Sequence, residues 1–561
     1  MSATGSSYWD LRDTPAHHEF RAARDLLLRH RTDHELVHRE FRWPRPAHFN
    51  WALEWFDVIA AGNDLGALAL HDVDGEPTGR HSYRELSVMS DNLACWLVAQ
   101  GVRRGDRVAV VLGQRLELWV VLLGLLKVGA VTVPLYTSLP RDQVADRLVR
   151  GHVDHVLCEP EVRSRVRDTD VPGLRVVVGV DAGEGGWIPL PAPTAEEHHP
   201  FVPDGPTPAD DLAYIYFTSG STAAPKMVAH THASYPIGHL SSVFWNGLYP
   251  GIRHVNVSAP GWAKHSWSSF FVPWTSQAEL VAATEPVPAE RLPRFLERTG
   301  ATSLCAPAST WSALTSHLDQ ARIRLAEATS AGECASPQVV DAVRSAWGVV
   351  VRDGYGQTET TCLAGTSPGM ATPVGAVGKA MPGYRLTTTT KDEIVVEMDG
   401  DPVGVTAGYL PDPRRPTRRW HTGDVGTVDD GWIQVLGRLD DVFQSSGHRV
   451  SPPELEDAIA AHPAVAEVAV VPLPDAGRGL APVAVVVPAA GTTAGTRLHH
   501  TLRAHIDDVV ADALRPRDIV LAAALPRTLS GKVRRAAVRD WVAAGAQGPE
   551  LTELTPREEP E

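Results

Sequence analysis

Cysteine is scarce in this sequence of 561 residues: there are five, and none has the spacing of a metal site. Free thiols in a reducing cytoplasm are the simplest interpretation. Positive charge is also scarce. The net charge of -15 argues against nucleic acid or an anionic membrane surface as a partner. The stretch 1–40 lacks the apolar run of a signal peptide. Charged residues interrupt the most apolar region, 108–136, so no membrane span is predicted.

Lysine is rare as well, with six residues against 46 arginines. The lysine ammonium is a compact charge on a flexible side chain, so it can move with a reacting phosphate group. The arginine guanidinium is planar, and its donors have a rigid arrangement. Lys226 and Lys532 both lie in turns rich in glycine, serine and threonine. We therefore regard these two lysines as candidates for contact with an anionic substrate.

The stretch 216–226 is the most informative part of the chain. A predicted strand, 212–217, leads into a loop with four hydroxyl side chains, one glycine and one lysine. Backbone N–H groups, hydroxyls and an ammonium around one small volume suit a polyanion such as a nucleoside triphosphate. The Walker A spacing is absent. A solvated turn is the alternative.

The chain is long enough for two or more domains. A strand at 108–112, a helix at 116–128 and a strand at 131–135 predict a βαβ unit with a buried parallel sheet. Further strands are predicted at 301–306, 349–351 and 393–397. This alternation is typical of a large α/β domain.

The composition changes after Gly437. A short series of helices and strands there predicts a small α+β domain: helix 453–461, strand 465–472, strand 482–488, helix 498–514, strand 519–524 and a last helix after residue 532. We expect a large N-terminal domain at 1–437, a small mobile C-terminal domain at 438–545 with a hinge between them, and a disordered acidic tail at 546–561.

The segment 353–359 combines an aromatic ring, a hydroxyl and a carboxylate after a predicted strand. Tyr355 could stack on a purine, Thr358 could bind a phosphate or carboxylate oxygen, and Glu359 could hold Mg²⁺. The alternative is a turn with a buried tyrosine.

Three more segments carry candidate groups. Asp424, in the segment 421–424, could pair with Arg438 to bind the hydroxyls of a ribose, or the two could form a structural ion pair. The segment 437–449 lies at the predicted domain junction, where a few residues can absorb a rotation. The segment 525–532 presents Lys532 on a turn. For these last two segments the alternative is an ordinary polar turn.

Together, and in this order, the five segments resemble the adenylate-forming superfamily, in its branch of medium-chain acyl-CoA synthetases and aryl acid-CoA ligases. The resemblance covers about 50–544. It implies that a carboxylic acid attacks ATP to give an acyl-adenylate and pyrophosphate. The small domain then rotates, and the thiol of coenzyme A takes the acyl group. ATP, Mg²⁺ and coenzyme A are thus the expected cofactors, and the architecture is one of domain alternation.

The resemblance assigns a role to each matching residue. Lys532 would bridge the carboxylate and the α-phosphate, Asp440 would be the hinge, and Gly447 would leave room for pantetheine. The implied catalytic residues are Lys532, Thr358, Glu359 and Gly447, with Glu359 at the metal and Arg449 beside coenzyme A. The implied nucleotide-binding residues are Thr218, Ser219, Gly220, Ser221, Thr222, Lys226, Gly332, Glu333, Cys334, Asp353, Tyr355, Asp424 and Arg438.

The segment 260–267 resembles the acyl-pocket segment of the same branch. The implied pocket residues are Trp262, Ala263, Lys264, His265 and Gly356. An aspartate that would pair with an amino-acid substrate is absent here. Acetyl-specific relatives carry a bulky tryptophan where this chain has Gly356, so we expect an acid larger than propionate.

The chain departs from the family at Ala223 and Met227, where glycine is usual. A methyl group at 223 could displace the phosphate loop. One alternative is therefore an enzyme that only thioesterifies a preformed acyl-adenylate. A second is an enzyme that loads a carrier-protein thiol, although no carrier segment is evident. A non-catalytic sensor and a luciferase-like oxidation are further alternatives. The oligomeric state and the identity of the acid are left open.

Overall fold

The computed structural model describes residues 14–166, 169–179, 186–218, 225–332, 334–528 and 532–545. These residues divide into two compact units. The first comprises the described residues of Met1–Leu386 and Val396–Trp420, and the second those of Thr387–Val395 and His421–Glu561. The first is α/β and the second α+β, as expected. The boundary at 437/438 and the hinge stay predictions, and the tail 546–561 lies outside the described residues.

The secondary structure of the described residues is as follows. The strands are β1 (Gly66–His71), β2 (Pro77–Ser82), β3 (Arg107–Val111), β4 (Val131–Pro134), β5 (His155–Cys158), β6 (Arg175–Val177), β7 (Trp187–Pro189), β8 (Leu212–Thr218), β9 (Lys226–Thr231), β10 (Arg253–Asn256), β11 (Glu279–Ala283), β12 (Ser303–Ala306), β13 (Glu327–Ala331), β14 (Val351–Gly356), β15 (Cys362–Gly365), β16 (Gly378–Ala380), β17 (Leu386–Thr388), β18 (Glu393–Glu397), β19 (Gly408–Tyr409), β20 (Arg419–Asp429), β21 (Trp432–Arg438), β22 (Phe443–Ser445), β23 (His448–Val450), β24 (Val465–Asp475), β25 (Gly479–Pro488) and β26 (Asp518–Leu521).

The α-helices are α1 (Pro15–Arg29), α2 (His34–Glu40), α3 (Val58–Ala60), α4 (Tyr83–Ala99), α5 (Leu116–Val128), α6 (Arg141–Arg150), α7 (Arg163–Val166), α8 (His239–Asn246), α9 (Ala263–Ser266), α10 (Val272–Thr275), α11 (Leu292–Thr299), α12 (Ala308–Leu314), α13 (Pro337–Trp347), α14 (Pro452–Ala460), α15 (Thr496–Val509) and α16 (Arg535–Ala543). Short π or 3₁₀ helices occur at Ala52–Asp57, Pro160–Val162, Trp267–Phe271, Thr315–Gln320 and Asp512–Leu514. No described helix is long and apolar enough to cross a membrane.

The first unit contains two sheets. In one, the strand order is β16-β15-β14-β13-β12-β10-β11-β1-β2, and the central strands β14 to β1 are parallel. In the other, the order is β19-β9-β8-β4-β3-β5-β6-β7, with β8 to β7 parallel. The hairpin β8–β9 ends the parallel part of this second sheet and is antiparallel.

The predicted βαβ unit is present as β3, α5 and β4. Helix α5 is buried from Leu118 to Val128 because it is apolar on every face, which is typical of a helix enclosed by other elements. It ends at Gly129, whose φ of 79° is the left-handed conformation that favours glycine. Strands β3 and β4 then pair in parallel, from Arg107 with Val131 onwards.

One charged group lies inside this apolar packing. The Nζ atom of Lys127, on α5, lies 2.8 Å from a carboxylate oxygen of Asp57 and 2.8 Å from one of Asp91. All three side chains are 0% exposed. Lys127 also donates to the carbonyl of Ser87, at 3.0 Å. The cluster connects α5 to α4 and to the π-helical turn Ala52–Asp57. Lys127 therefore has a structural role, and its presence among the six lysines needs no functional explanation.

The second unit is built on a long antiparallel hairpin. Strands β24 and β25 pair from Val465–Pro488 to Asp475–Gly479, and β26 adds to β25 in parallel. Alternate residues of β24 face opposite sides of the sheet. Val470 packs in the cluster that contains α14 and α15, whereas Val471 packs in the cluster that contains α16. Helices therefore cover both faces.

Candidate active site

The carboxyl ends of four parallel strands form the base of the site. Strands β10, β12, β13 and β14 are neighbours, with Asn256 paired to Cys305, Ala306 to Ser330 and Ala331 to Gly354. The segments that were predicted to bind substrate come soon after these strands in the chain. In open α/β sheets, ligands bind outside the carboxyl ends of the strands. The sheet thus brings Gly332, Tyr355 and Gly356, and the segment 262–265 to a common edge.

Strand β14 extends further than predicted. It runs from Val351 to Gly356, so Asp353, Gly354 and Tyr355 belong to the strand and do not follow it. The Asp353 carboxylate accepts the N–H of Ala335, at 3.0 Å. Burial raises the pKa of Asp353 to about 7, although this N–H and the Ser330 hydroxyl favour the charged form. The carboxylate therefore connects β14 to the loop after β13, where Gly332 and Cys334 lie.

A tight turn follows β14 and carries Thr358 and Glu359. The N–H of Thr360 bonds to the carbonyl of Gln357, at 3.2 Å. His230, on β9, lies with its Nε2 2.7 Å from the carbonyl oxygen of Thr358. A carbonyl only accepts, so the Nε2 atom carries the hydrogen. Burial lowers the pKa of His230 to about 4, which keeps the ring neutral near pH 7. His230 thus fixes the turn from the neighbouring sheet.

Tyr409 connects two of the predicted residues. Its hydroxyl donates to the Oε1 atom of Glu359, at 2.8 Å. The Nζ atom of Lys226 lies 5.0 Å from the centroid of its ring, which is cation–π geometry. Tyr409 reaches this position because β19 pairs with β9, with Tyr409 opposite Val228. The structure therefore brings Lys226 and Glu359 to one tyrosine, although they are far apart in sequence.

The predicted phosphate loop is described only at its two ends. Thr218 and Lys226 are paired residues of the hairpin β8–β9. Ser219, Gly220, Ser221, Thr222 and Ala223 lie outside the described residues, as does Glu333. Met227 is described, and its buried side chain packs in a core cluster with Val144 and Leu148. Since neighbouring strand residues face opposite sides, Met227 points away from the side of Lys226.

The predicted acyl-pocket segment begins a helical stretch after β10. Trp262 is partly buried, whereas Ala263, Lys264 and His265 are buried in α9. A Cβ atom added to Gly332 would lie 3.6 Å from the ring of Trp262. Trp262 therefore borders the segment predicted to line adenine.

Gly356 packs closely against two neighbours. An added Cβ atom would lie 2.1 Å from the carbonyl oxygen of Thr361 and 2.8 Å from the Cη2 atom of Trp267. Trp267 is 6% exposed, and its Nε1 donates to the hydroxyl of Tyr235, at 3.1 Å. The indole of Trp267 thus occupies space in front of the glycine that was expected to open the pocket.

The second unit holds Asp424 and Arg438. These residues are directly opposite each other on β20 and β21, and an Nη1 of Arg438 donates to Asp424 Oδ1, at 2.8 Å. Asp424 is 6% exposed, whereas the Arg438 side chain is half exposed. The same Nη1 also lies 3.2 Å from the carbonyl oxygen of Thr422. The pair was predicted from a separation of fourteen residues, and the hairpin explains that separation.

The remaining predicted residues of the second unit lie on turns. Asp440 is exposed in the turn after β21, where the N–H groups of Asp441 and Val442 bond to the carbonyl of Arg438. Gly447 is at the tip of the hairpin β22–β23, with a φ of 78° and open space around an added Cβ atom. Arg449 forms an ion pair with Asp392.

Lys532 lies on one arm of a small antiparallel loop. Its N–H donates to the Thr528 hydroxyl, at 3.1 Å, and its carbonyl accepts the N–H of Thr528, at 2.8 Å. Arg527 and Val533 continue this pairing as an isolated bridge. Lys532 is exposed, and the tip of the loop, 529–531, lies outside the described residues.

Two residues at the site, Tyr409 and His230, were not predicted from the sequence; Trp267 lies in the predicted acyl-pocket segment 260–267, but its contact with Gly356 was not predicted. Each is an aromatic residue or a histidine within an ordinary apolar strand or helix. Tyr409 and His230 lie 50 and 128 residues from the groups that they contact. Only the pairing of β9 with β19 brings them to the turn after β14.

Comparison with known proteins identifies two family models along the chain. The model of the AMP-binding enzymes matches residues 57–402, and that of the AMP-binding enzyme C-terminal domain matches residues 454–532. The chain is 32% identical over 514 residues to 4-hydroxybutyrate–CoA ligase 1 of Metallosphaera sedula, which covers 88% of this chain and 90% of the relative. It is 30% identical over 555 residues to the mitochondrial acyl-coenzyme A synthetase ACSM3 of Mus musculus, covering 91% and 94%.

Solved structures agree with this assignment. The Brucella canis acyl-CoA synthetase superposes with a TM-score of 0.66 at 26% identity, covering 93% of this chain and 99% of that structure. The anthranilate CoA ligase AuaEII, solved with anthranoyl-AMP, has the same fold, with a TM-score of 0.79 at 23% identity, covering 90% and 99%. The chain therefore belongs to the family of AMP-binding, adenylate-forming enzymes, in its acyl-CoA synthetase branch.

Proposed function

We propose that this protein is an AMP-forming acyl-CoA ligase for a carboxylic acid larger than propionate. A carboxylate oxygen of the acid attacks the α-phosphorus of ATP, and the bond to the bridging oxygen breaks to release pyrophosphate. The thiolate of coenzyme A then attacks the carbonyl carbon of the acyl-adenylate, and AMP leaves. The family, and relatives named as CoA ligases and acyl-CoA synthetases over about nine-tenths of the chain, support this reaction.

The contact that carries the proposal is that of Tyr409 with both Glu359 and Lys226. A lysine and a carboxylate that meet at one tyrosine form a site with both signs of charge. Lys226 would neutralise phosphate oxygens, together with the loop that begins after Thr218. Tyr355 would stack on the adenine beside Gly332 and Cys334. Thr358 would bind an oxygen of the acid or the phosphate.

Magnesium fits the residues at this position. Mg²⁺ is usually bound by one or two carboxylates, with substrate phosphates and water as its other ligands. Glu359 supplies one carboxylate, oriented by the hydroxyl of Tyr409. No cluster of three or more metal-binding side chains occurs among the described residues. Glu359 would therefore hold the ion together with the phosphates of ATP, and the ion would supply positive charge there.

The second unit would contribute Asp424 and Arg438 to the ribose, Lys532 to the first step, and Gly447 and Arg449 to coenzyme A. Asp440 would be the hinge between domains at 1–437 and 438–545. The exposed turn at Asp440 and the open space at Gly447 support these roles. We place the reaction in the cytoplasm, where the five free cysteines would stay reduced.

The size of the acid follows from Gly356 together with Trp267. A glycine at 356 leaves out a large side chain, but the indole of Trp267 limits the space gained. We expect Trp267→Leu to shift the preferred chain length upwards, because the smaller side chain lengthens the pocket. One or two methylenes in a pocket change kcat/KM by about 10–200-fold. An unchanged chain-length profile would contradict the role of Trp267 as a wall.

The experiment is a panel of straight-chain and aromatic acids assayed by mass spectrometry. Acyl-AMP is measured without coenzyme A, and acyl-CoA is measured with it. We expect both products from acids larger than propionate, and we expect Lys226→Met to suppress acyl-AMP formation. Lys391→Met is the matched control, since Lys391 is exposed in the turn between β17 and β18. Failure to form acyl-AMP from any acid would refute the proposal.

A further inference from the structure

Lys264 is a buried lysine that has no carboxylate partner among the described residues. The residue is 5% exposed, and its Nζ atom has no oxygen or nitrogen acceptor among the described residues; only the thiol of Cys305, a weak acceptor, interacts with it. Burial lowers the pKa of Lys264, and the thiol of Cys305 opposes that shift. A buried polar group normally has a hydrogen-bond partner, and a buried charge is normally paired.

Lys127 provides a comparison within the same unit. It is equally buried, but two carboxylates and a carbonyl oxygen surround its ammonium. The groups beside Lys264 offer no such counter-charge. They are the thiol of Cys305, the indole of Trp262 and the ring of His254, whose pKa burial lowers to about 3. Lys264 therefore has the surroundings of a ligand-binding lysine, and Lys127 those of a structural one.

The position of Lys264 relates it to the acid substrate. Its Nζ atom lies 5.5 Å from the ring centroid of Trp262, and the same ring borders Gly332. Cys305 is on β12, next to the carboxyl end of the parallel sheet. The ammonium of Lys264 thus lies near the same indole that borders Gly332, at the end of the sheet where the segments with predicted substrate contacts follow the strands.

Two more buried polar atoms in the same stretch lack partners. The Nε2 atom of His265 and the Oδ1 atom of Asn256 make no hydrogen bond within the described part of the chain. The Asn256 amide uses its donors on Ser258 and Ser269, at 2.7 and 2.8 Å, so only its acceptor is unused. A purely hydrocarbon substrate could satisfy none of these atoms, whereas a substrate oxygen could accept a hydrogen bond from Lys264.

We propose that Lys264 donates a hydrogen bond to an oxygen at the far end of the acyl group. The substrate is then a carboxylic acid with a second oxygen function, either a second carboxylate or a hydroxyl or keto oxygen. This inference rests on the proposed function, because it needs the acyl group to lie against α9. It narrows the substrate class from acids larger than propionate to acids that carry an oxygen acceptor remote from the reacting carboxylate.

The test compares three acids at each of several chain lengths: the plain acid, the acid with a terminal hydroxyl and the acid with a terminal carboxylate. We expect the wild-type kcat/KM to be about tenfold or more higher for one of the oxygenated acids than for the plain acid. Lys264→Met keeps the length of the side chain and removes the donor. It should abolish this preference and leave the plain acid as good a substrate or a better one.

A second readout separates binding from structure. Because methionine removes an unsatisfied buried amine, we expect the melting temperature of Lys264→Met to equal or exceed that of the wild type. A fall in the melting temperature, or a failure to fold, would show that Lys264 has a structural partner and would overturn the inference. Lys391→Met is again the control, and it should alter neither the preference nor the melting temperature.

The outcomes distinguish the inference from the function on which it rests. If no acid gives acyl-AMP or acyl-CoA, the proposed function fails. If plain and oxygenated acids react equally well in the wild type, only the inference fails, and an ordered water is then the partner of Lys264. A preference for the terminal carboxylate over the hydroxyl identifies a diacid as the substrate, and the reverse preference identifies a hydroxy acid.

Discussion

At the scale of single residues, the candidate site depends on side chains that orient the groups proposed to contact substrate. Glu359 would be free to rotate without the hydroxyl of Tyr409, and Lys226 would lose the ring over which its ammonium lies. His230 holds the carbonyl of Thr358 in the same way. A misplacement of about 1 Å can cost about a hundredfold in rate, so these residues matter although they need not touch substrate.

The first prediction concerns Tyr409→Phe. This change keeps the ring beneath Lys226 and removes the hydrogen bond to Glu359. Hydrogen bonds to charged groups contribute about 1.5–3 kcal/mol, so kcat/KM for acyl-AMP formation should fall about tenfold or more. The half-saturating Mg²⁺ concentration should rise at the same time. Both quantities can be measured by pyrophosphate release at varied Mg²⁺.

Tyr249→Phe is the matched control for this prediction. Its ring lies under the guanidinium of Arg31, at 4.8 Å, and makes no contact with Glu359 or Lys226. Tyr409→Leu should be more damaging than Tyr409→Phe, because it also removes the ring. Wild-type kinetics in Tyr409→Phe would show that Glu359 needs no orientation by this hydroxyl.

Sequence reasoning proposed residues for the chemistry and missed the residues that contact and orient them. Lys226, Glu359 and Asp424 could be selected because charged groups in turns after strands have few structural explanations. Tyr409 lies in a two-residue strand, and nothing local indicates its partner. The proximity of Trp267 to Gly356 was equally hidden, because it depends on how a helix packs against the end of β14.

At the scale of elements, apolar runs predicted the parallel strands β3, β4, β8 and β12 and the helix α5, but the parallel strands β1, β5, β6, β7, β10, β11 and β13 were not predicted. The parallel strands that were predicted are buried on both faces, so each is a continuous apolar run that is visible in the sequence. The helix predicted at 498–514 ends at Val509, and the strand predicted at 349–351 runs on to Gly356. Helices α1 and α2 were not predicted, since the stretch 1–40 is rich in charge and its pattern is weak.

The second prediction concerns α5 and its buried lysine. Lys127→Met should destabilise the first unit by about 3–5 kcal/mol, because it leaves the carboxylates of Asp57 and Asp91 buried without their counter-charge. His198 also contacts Asp91, at 2.8 Å, but only from a partly exposed position. The change can be measured as a shift of the urea midpoint of unfolding.

A triple variant provides the control for Lys127→Met. Adding Asp57→Asn and Asp91→Asn removes the two carboxylates that Lys127→Met leaves without a counter-charge. Much of the lost stability should therefore return. If Lys127→Met unfolds at the wild-type urea concentration, the cluster does not hold α5 in place. If the triple variant is less stable than the single one, uncompensated charge is not the cause of the destabilisation.

At the scale of the whole molecule, buried histidines dominate the response to acid. Burial lowers the pKa of His230 to about 4 and those of His232, His254 and His265 to about 3. The unfolded chain takes up a proton near pH 6.5 at each of these positions. Between pH 6.5 and those lower values the unfolded state therefore binds more protons, so stability falls as the pH falls.

The carboxyl groups whose pKa values burial raises act in the opposite direction: Glu54, Asp353, Asp441, Glu456 and Asp457. The pKa of Asp353 rises to about 7 in the native state, whereas its ordinary value is 3.8. Between pH 7 and about pH 3.8 the native state therefore binds a proton at Asp353 that the unfolded state does not bind. This group therefore favours the native state as the pH falls from 7 to 4. Among the described residues, ten histidines have lowered pKa values and five carboxyl groups have raised ones, so the net expectation is a loss of stability from pH 7 to pH 5.

The third prediction tests this balance at His232. Both ring nitrogens of His232 lack a hydrogen-bond partner in the described structure, and the residue is 0% exposed. His232→Leu should therefore be at least as stable as the wild type at pH 7. Its advantage should grow by about 2 kcal/mol between pH 7 and pH 5, because one proton-binding site of the unfolded state is gone. Urea unfolding at the two pH values measures the difference, with His500→Leu on the exposed face of α15 as the control. An advantage that is constant with pH would mean that the unfolded state gains no proton at His232 relative to the native state, and the acid sensitivity would then have to come from other groups.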